Sequence, residues 1–143
     1  MDMKLEVIVI PVADVDRSVT FYTERCGFHL DVDHRGGDGF RVVQVTPPGS
    51  ACSVIFGVGV SQVPPGSAQG LHLVVTDLVA AQAEFAGRGV DVTPVRHLVP
   101  GTGWVDGLHP DNADYGSFAF FSDPDGNGWA LQQWRGQSDS STS

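Results

Sequence analysis

The chain has 143 residues, of which 41% are hydrophobic and 17% charged, with 17 Asp and Glu against 8 Lys and Arg for a formal net charge of −9. A domain of this size buries roughly 68–70% of its unfolded surface, so a real core is available and a generic disordered chain is excluded. The acidic balance excludes nucleic acid and anionic membranes as partners, and no apolar run approaches the roughly 18 residues of a membrane span. The 18 Gly and 9 Pro favour short strands joined by tight turns. Two cysteines, Cys26 and Cys52, make neither a disulfide framework nor a Cys-rich metal site, and are expected to be reduced, buried small residues. Met1 to Glu6 lacks the basic-then-apolar pattern of a secretory signal, so a cytoplasmic protein is expected.

Lys4–Val12 is a β-branched run and reads as a strand. Asp14 caps a helix whose apolar stripe is Val15, Val19, Tyr22 and Cys26, with Gly27 at the left-handed C-terminal position. Phe28–His34 alternates as a strand, Gly36–Gly39 turns, and Phe40–Thr46 is the next strand. Pro47–Ser50 turns the chain again and Ala51–Val58 returns, which gives the order βαβββ over residues 4–58. Residues 59–68 carry two prolines, two glycines and two serines and form a linker.

From residue 69 the pattern restarts. Leu71–Val75 is an apolar strand, and Asp77 caps a helix with Leu78, Ala81 and Phe85 on one face, ended by Gly87 or Gly89. Val90–Val95 reads as a short strand, and residues 98–115 as a long loop without clear period. Ser117–Ser122 and Trp129–Trp134 are strands around the turn 123–128, and the polar, Ser-rich stretch 136–143 is expected to be a disordered tail. Residues 1–135 thus form one domain of two modules, 4–58 and 69–135.

The halves superpose at a shift of 63, with Ile10-Pro11-Val12-Ala13-Asp14-Val15 over Leu73-Val74-Val75-Thr76-Asp77-Leu78. Order, spacing and capping Asp agree, so this is a true internal repeat. Three segments carry a family resemblance: Ile10–Ser18 with Phe21-Tyr22, Leu71–Asp77, and Phe121-Ser122-Asp123-Pro124-Asp125-Gly126-Asn127. On these the chain resembles the vicinal oxygen chelate superfamily, the glyoxalase/bleomycin-resistance/dioxygenase group. The resemblance implies an α+β fold in which two βαβββ modules form a U-shaped mixed sheet around a cavity, in a homodimer.

Many members of that superfamily hold a divalent metal at four cavity-facing positions. Residue by residue these fall on Val7, seven before the first capping Asp; on Gly70, its repeat; on Ala130, seven after Asp123; and near Ser53. Metal-dependent relatives carry His, Gln or Glu there, whereas Val, Gly and Ala have no side-chain donor. The expectation is a member lacking the usual metal ligands, with no metal and no other cofactor.

Strand alternation places His72 on the face of Gly70, and Gln132 on the face of Ala130. Both offer polar contacts to a ligand, and a histidine can also move a proton near neutral pH. Phe118 and Phe120 share one strand face, while Trp104 and Tyr115 lie at or near the long loop, where an aromatic covers a ligand. The candidate ligand-binding set is therefore His72, Gln132, Trp104, Tyr115, Phe118 and Phe120, with His72 also the candidate acid or base. Asp123–Gly128 mimics the start of a calcium loop, but Trp134 stands where that loop needs Glu, so calcium is rejected. His97 and His109, with Asp111 and Asp114, match no ligand spacing rule and read as a solvated loop.

The first reading is a metal-independent protein that binds an apolar or aromatic small molecule, such as a natural product, in the sheet cavity. A second is a metal-free lyase, isomerase or cyclase using His72 as acid or base. A third is a metal-dependent glyoxalase-type lyase or dioxygenase with unusual ligands.

Overall fold

The computed structural model describes residues 1–135, and the proposed tail 136–143 lies outside the described residues. The chain divides into two compact units: Met1–Gln69 with the turn Asp123–Asn127, and Gly70–Ser122 with the chain from Gly128.

In the first unit, β1 (Val7–Val9) leads into α1 (Val15–Thr20), followed by β2 (His29–Arg35), β3 (Arg41–Thr46) and β4 (Ser53–Val58). The sheet order is β1-β4-β3-β2, with β1 parallel to β4 and the remaining pairs antiparallel. The expected strand 4–12 shrinks to three residues. Its partner β4 starts only at Ser53, whose N–H donates to the Glu6 carbonyl, and Pro11 has no N–H to continue the ladder. Asp14 caps α1 by accepting the Arg17 N–H at 3.1 Å, and Gly27 takes the left-handed conformation at φ 76°.

The apolar stripe is wider than the helical period implies. After Thr20 the backbone widens into a π-helical turn, Phe21–Arg25, in which the Cys26 N–H reaches the Phe21 carbonyl. Ser18 is buried with Val15 and Tyr22 in the ordinary helical period, and the π turn sets Phe21 one wide turn before Cys26, both buried, while Val19 is only half-buried. These side chains meet Val43, Val45, Val54 and Phe56 from one face of the sheet; Tyr22 lies 5.6 Å from both Phe28 and Phe56. Neither Cys26 nor Cys52 forms a disulfide among the described residues, and Cys52 is half-buried rather than buried.

The turn Asp123–Asn127 is tied into this unit by its side chains. The Asp123 carboxylate accepts the Asp125 and Asn127 N–H groups, the Asn127 amide and the buried Tyr22 hydroxyl at 2.7 Å. Asp125 Oδ1 accepts the Ala13 N–H and an Arg17 guanidinium N–H. Only Gly126, at φ 99°, needs the left-handed region. Asn127 acts as a buried side-chain tie, donating to the Pro11 carbonyl at 2.8 Å and accepting the Ala68 N–H at 3.0 Å. A second tie is Arg41, buried at the start of β3, which forks onto Asp33 and reaches Asp16 at 2.7 Å. The Arg41 hydrogen bond holds the Asp33 carboxyl below the usual carboxylate range, and the two acids raise the guanidinium in turn.

The second unit repeats the plan with one addition. It runs β5 (Leu71–Val75), α2 (Leu78–Gly87), β6 (Arg96–Val99), β7 (Gly103–Asp106), β8 (Ser117–Ser122) and β9 (Gly128–Gln133), in the sheet order β5-β9-β8-β6-β7. Again the first strand is parallel to the last. Asp77 caps α2 through the Ala80 N–H, the same device at the repeated position.

Two expectations fail here. Val90–Val95 is not a strand: Pro94 lacks a donor, and the segment meets the sheet through isolated bonds, Thr93 exchanging two with Phe120 and the Val95 carbonyl accepting the Gly107 N–H. The expected loop 98–115 holds most of a hairpin, β6–β7, closed by the Thr102 N–H on the Val99 carbonyl with Gly101 at φ 80°. The two sheets are both mixed, and with the few helices they make an α+β fold of two βαβββ modules, the second extended by the edge strand β7.

Candidate ligand-binding face

Alternation along β8 and β9 sorts the second sheet into two faces. Ser117, Ala119, Phe121, Trp129, Leu131 and Gln133 are buried on the face toward α2, where Phe85 lies 5.3 Å from Phe121 and Gln133 accepts the Leu78 N–H. The opposite face carries Phe118, Phe120, Ala130 and Gln132 on the central strands. On the outer strands it carries His72 and Val74 from β5, Arg96 and Leu98 from β6, and Trp104 and Asp106 from β7.

This open face holds an aromatic cluster. Phe118 and Phe120 stack with centroids 5.8 Å apart and planes within 5°. The Trp104 indole, 46% exposed, spans β6 to meet both edge-on, at 5.4 and 5.2 Å. His72 closes the other side, edge-on to Phe118 at 6.3 Å. Val74 and Leu98, half-exposed, continue the apolar surface at its margins.

The polar part is a short relay. Gln132 donates its amide N–H to the Tyr115 carbonyl at 3.1 Å, which turns its Oε1 toward His72 Nδ1 at 2.9 Å. An amide oxygen only accepts, so Nδ1 is the donor in this pair. Tyr115 itself sits at φ 60°, held by its N–H on the Gln133 carbonyl. Its ring does not join the cluster; it stacks on Trp134 at 6.1 Å. The structure therefore places His72, Gln132, Trp104, Phe118 and Phe120 on one face, and brings Tyr115 there through its carbonyl alone.

Arg96 was not foreseen. It is the register partner of both Phe118 and Asp106, and its Nε is buried without a hydrogen-bond partner. The signal was Pro100-Gly101 between two short alternating runs, which marks a hairpin and sets Arg96, Leu98, Trp104 and Asp106 on one side.

The positions that hold metal in related folds offer no donor set. Val7 and Ser53 are register partners across β1–β4, and Ser53 Oγ is engaged with Thr46 Oγ1 at 2.6 Å. Gly70 precedes β5 at φ 77°, and Ala130 is buried opposite His72. Three of these four residues carry no ligating atom, so a divalent ion does not fit there. Among the described residues no group of three or more His, Cys, Asp or Glu is arranged to hold a metal ion. His97 and His109 do meet, with ring centroids 5.7 Å apart, but the Nδ1 of His97 is engaged with the Gly107 carbonyl, and His109 Nδ1 accepts the Asp111 N–H.

Residues 4–131 match the model of the Glyoxalase/Bleomycin resistance protein/Dioxygenase superfamily. The chain belongs to this superfamily. Solved members include TnmS3, an antibiotic binding protein from Streptomyces sp. CB03234, which is 34% identical over 92% of this chain and 96% of its own, with a TM-score of 0.71. A glyoxalase/bleomycin resistance protein from the same organism is 35% identical over 91% of this chain and 100% of its own, with a TM-score of 0.69. A superfamily member from Sphaerobacter thermophilus DSM 20745 is 26% identical over 93% of this chain and 98% of its own, with a TM-score of 0.72. No curated protein matches the chain. No described helix is long and apolar enough to cross a membrane.

Proposed function

We propose that this protein binds an apolar or aromatic small molecule of the natural-product kind on the open face of its second sheet, without a metal and without turnover. The observation that carries this reading is the cluster of Trp104, Phe118 and Phe120, left uncovered beside a preset polar pair, His72 and Gln132. A core would bury such rings; a binding face leaves them in reach and adds a few fixed polar groups. Trp104 and the two phenylalanines stack on the ligand, His72 and Gln132 orient it, and the Tyr115 carbonyl fixes the Gln132 amide. A relative 34% identical is described as an antibiotic binding protein, which supports a natural product as the ligand class. The setting is a cytoplasmic homodimer, in keeping with two free thiols.

A second reading has one specific support. The Gln132 oxygen fixes the His72 ring through Nδ1 beside an aromatic surface, an arrangement that a metal-free lyase, isomerase or cyclase would use for an acid or base.

The test is native mass spectrometry of protein purified without added metal, before and after denaturation. The binding reading expects no stoichiometric metal, and an organic mass that is released on denaturation. A stoichiometric metal would overturn metal independence. If turnover of a recovered ligand is seen and is lost in His72→Ala with binding retained, the enzymatic reading replaces the first.

A further inference from the structure

We propose that Arg96 is the specificity residue of the open face, and that the ligand is an aromatic molecule carrying an anionic oxygen group, a carboxylate or an acidic phenol. The inference rests on the reading of that face as the ligand site, and adds the charge of the occupant.

Arg17, Arg41 and Arg88 each hold a carboxylate, on Asp125, on Asp33 with Asp16, and on Glu84. Arg96 differs. Its Nε is buried with no acceptor, and among the described residues its guanidinium makes no hydrogen bond or ion pair. Buried donors in native proteins are nearly always satisfied, so an orphan on a candidate binding face points to a missing acceptor. Arg96 opens β6 opposite Phe118 on β8 and Asp106 on β7. Asp106 lies directly across the hairpin yet does not pair with it, and stands exposed.

The Trp104 indole spans β6 to reach Phe118 and Phe120, so the strand that carries Arg96 runs beneath the aromatic cluster. A guanidinium is planar and presents a fork that matches two oxygens of a carboxylate. A flat ring stacked on Phe118 and Phe120 can turn an oxygen substituent toward that fork, and the surrounding rings exclude water and strengthen the bond. The chain as a whole is acidic, at −9, so an anion gains nothing from the general field and depends on a local cation such as Arg96.

The test is isothermal titration calorimetry with two probes of one ring system, 2-naphthoate and the neutral 2-naphthalenemethanol. Wild type is expected to bind the anion about tenfold more tightly. Arg96→Gln should abolish that preference while changing the neutral probe by less than about twofold, and Arg96→Lys should keep part of it. Asp106→Asn removes the carboxylate across the hairpin, which repels an anion, and should tighten 2-naphthoate alone, by about threefold, which tests the idea without touching Arg96. Equal binding of the two probes to wild type overturns the proposal and leaves the aromatic face intact as a ligand site. A parallel loss of both probes in Arg96→Gln, or an Asp106→Asn variant with unchanged preference, also overturns it. Failure of both probes to bind wild type would remove the proposal and the reading of the face on which it rests.

Discussion

Asn127 is fully buried in the turn 123–127 and makes three side-chain hydrogen bonds, to the Pro11 carbonyl, Asp123 Oδ2 and the Ala68 N–H. Replacing it with alanine removes all three and leaves neighbours of unequal need. The Pro11 carbonyl still accepts the Gly66 N–H, and Asp123 still has three donors, so the Ala68 N–H is the group stranded. Each buried neutral bond contributes about 1 kcal/mol net, and the bond to the carboxylate about 1.5–3 kcal/mol. Asn127→Ala should therefore cost about 4 kcal/mol. For a chain of this length the unfolding entropy is about 0.3 kcal/mol/K, so the expected fall in Tm is about 13 °C. Circular dichroism melts and urea titrations, read at a common slope, measure both quantities. A loss below about 1 kcal/mol would refute the view that this turn holds the first unit through Asn127, and would assign the role to Gly126 and its backbone bend.

The Asp33–Arg41 pair should show in the acid limb of stability. The folded carboxyl titrates below its ordinary value of 3.8 because Arg41 hydrogen-bonds its charged form, so its contribution is complete above that value and is lost as pH falls through the lower, folded one. The urea midpoint of Asp33→Asn should lie below wild type near neutral pH, and the gap should close at acid pH; a gap independent of pH contradicts the assignment. On the ligand side, Trp104→Ala should weaken 2-naphthalenemethanol about tenfold by calorimetry, whereas Tyr115→Ala should change it less than about twofold, because that ring is stacked on Trp134. The reverse order would move the site from the open face to the Tyr115 loop.

The repeat was legible because it is built from local chemistry. Asp14 and Asp77 cap their helices in the same way, and both modules pair their first strand in parallel with their last. Alternation also sufficed to put His72, Gln132, Phe118 and Phe120 on one side of a sheet. What was illegible depended on distant contacts or on punctuation. Pro100, Gly101 and Gly103 look like loop residues, yet Pro100 and Gly101 make the turn of the β6–β7 hairpin and Gly103 opens β7, and losing that hairpin lost Arg96. The π-helical turn after Thr20 breaks the 3.6-residue period with no local marker, and so widened the buried stripe unseen. Tyr115 was chosen for its ring, but its left-handed backbone presents its carbonyl instead. Asn127 reads as a turn former by type, and only the proximity of Pro11 and Ala68 makes it a tie.

The central claim is that the open face of the second sheet takes an aromatic ligand. The most direct measurement is an NMR titration of the labelled protein with 2-naphthoate, following the Trp104 indole N–H, the Gln132 amide and the His72, Phe118 and Phe120 rings. Saturable shifts confined to these groups and Arg96 are expected, with the Tyr115 and Trp134 rings moving little. Saturable shifts elsewhere with these signals unmoved, or no binding at all, would contradict the claim.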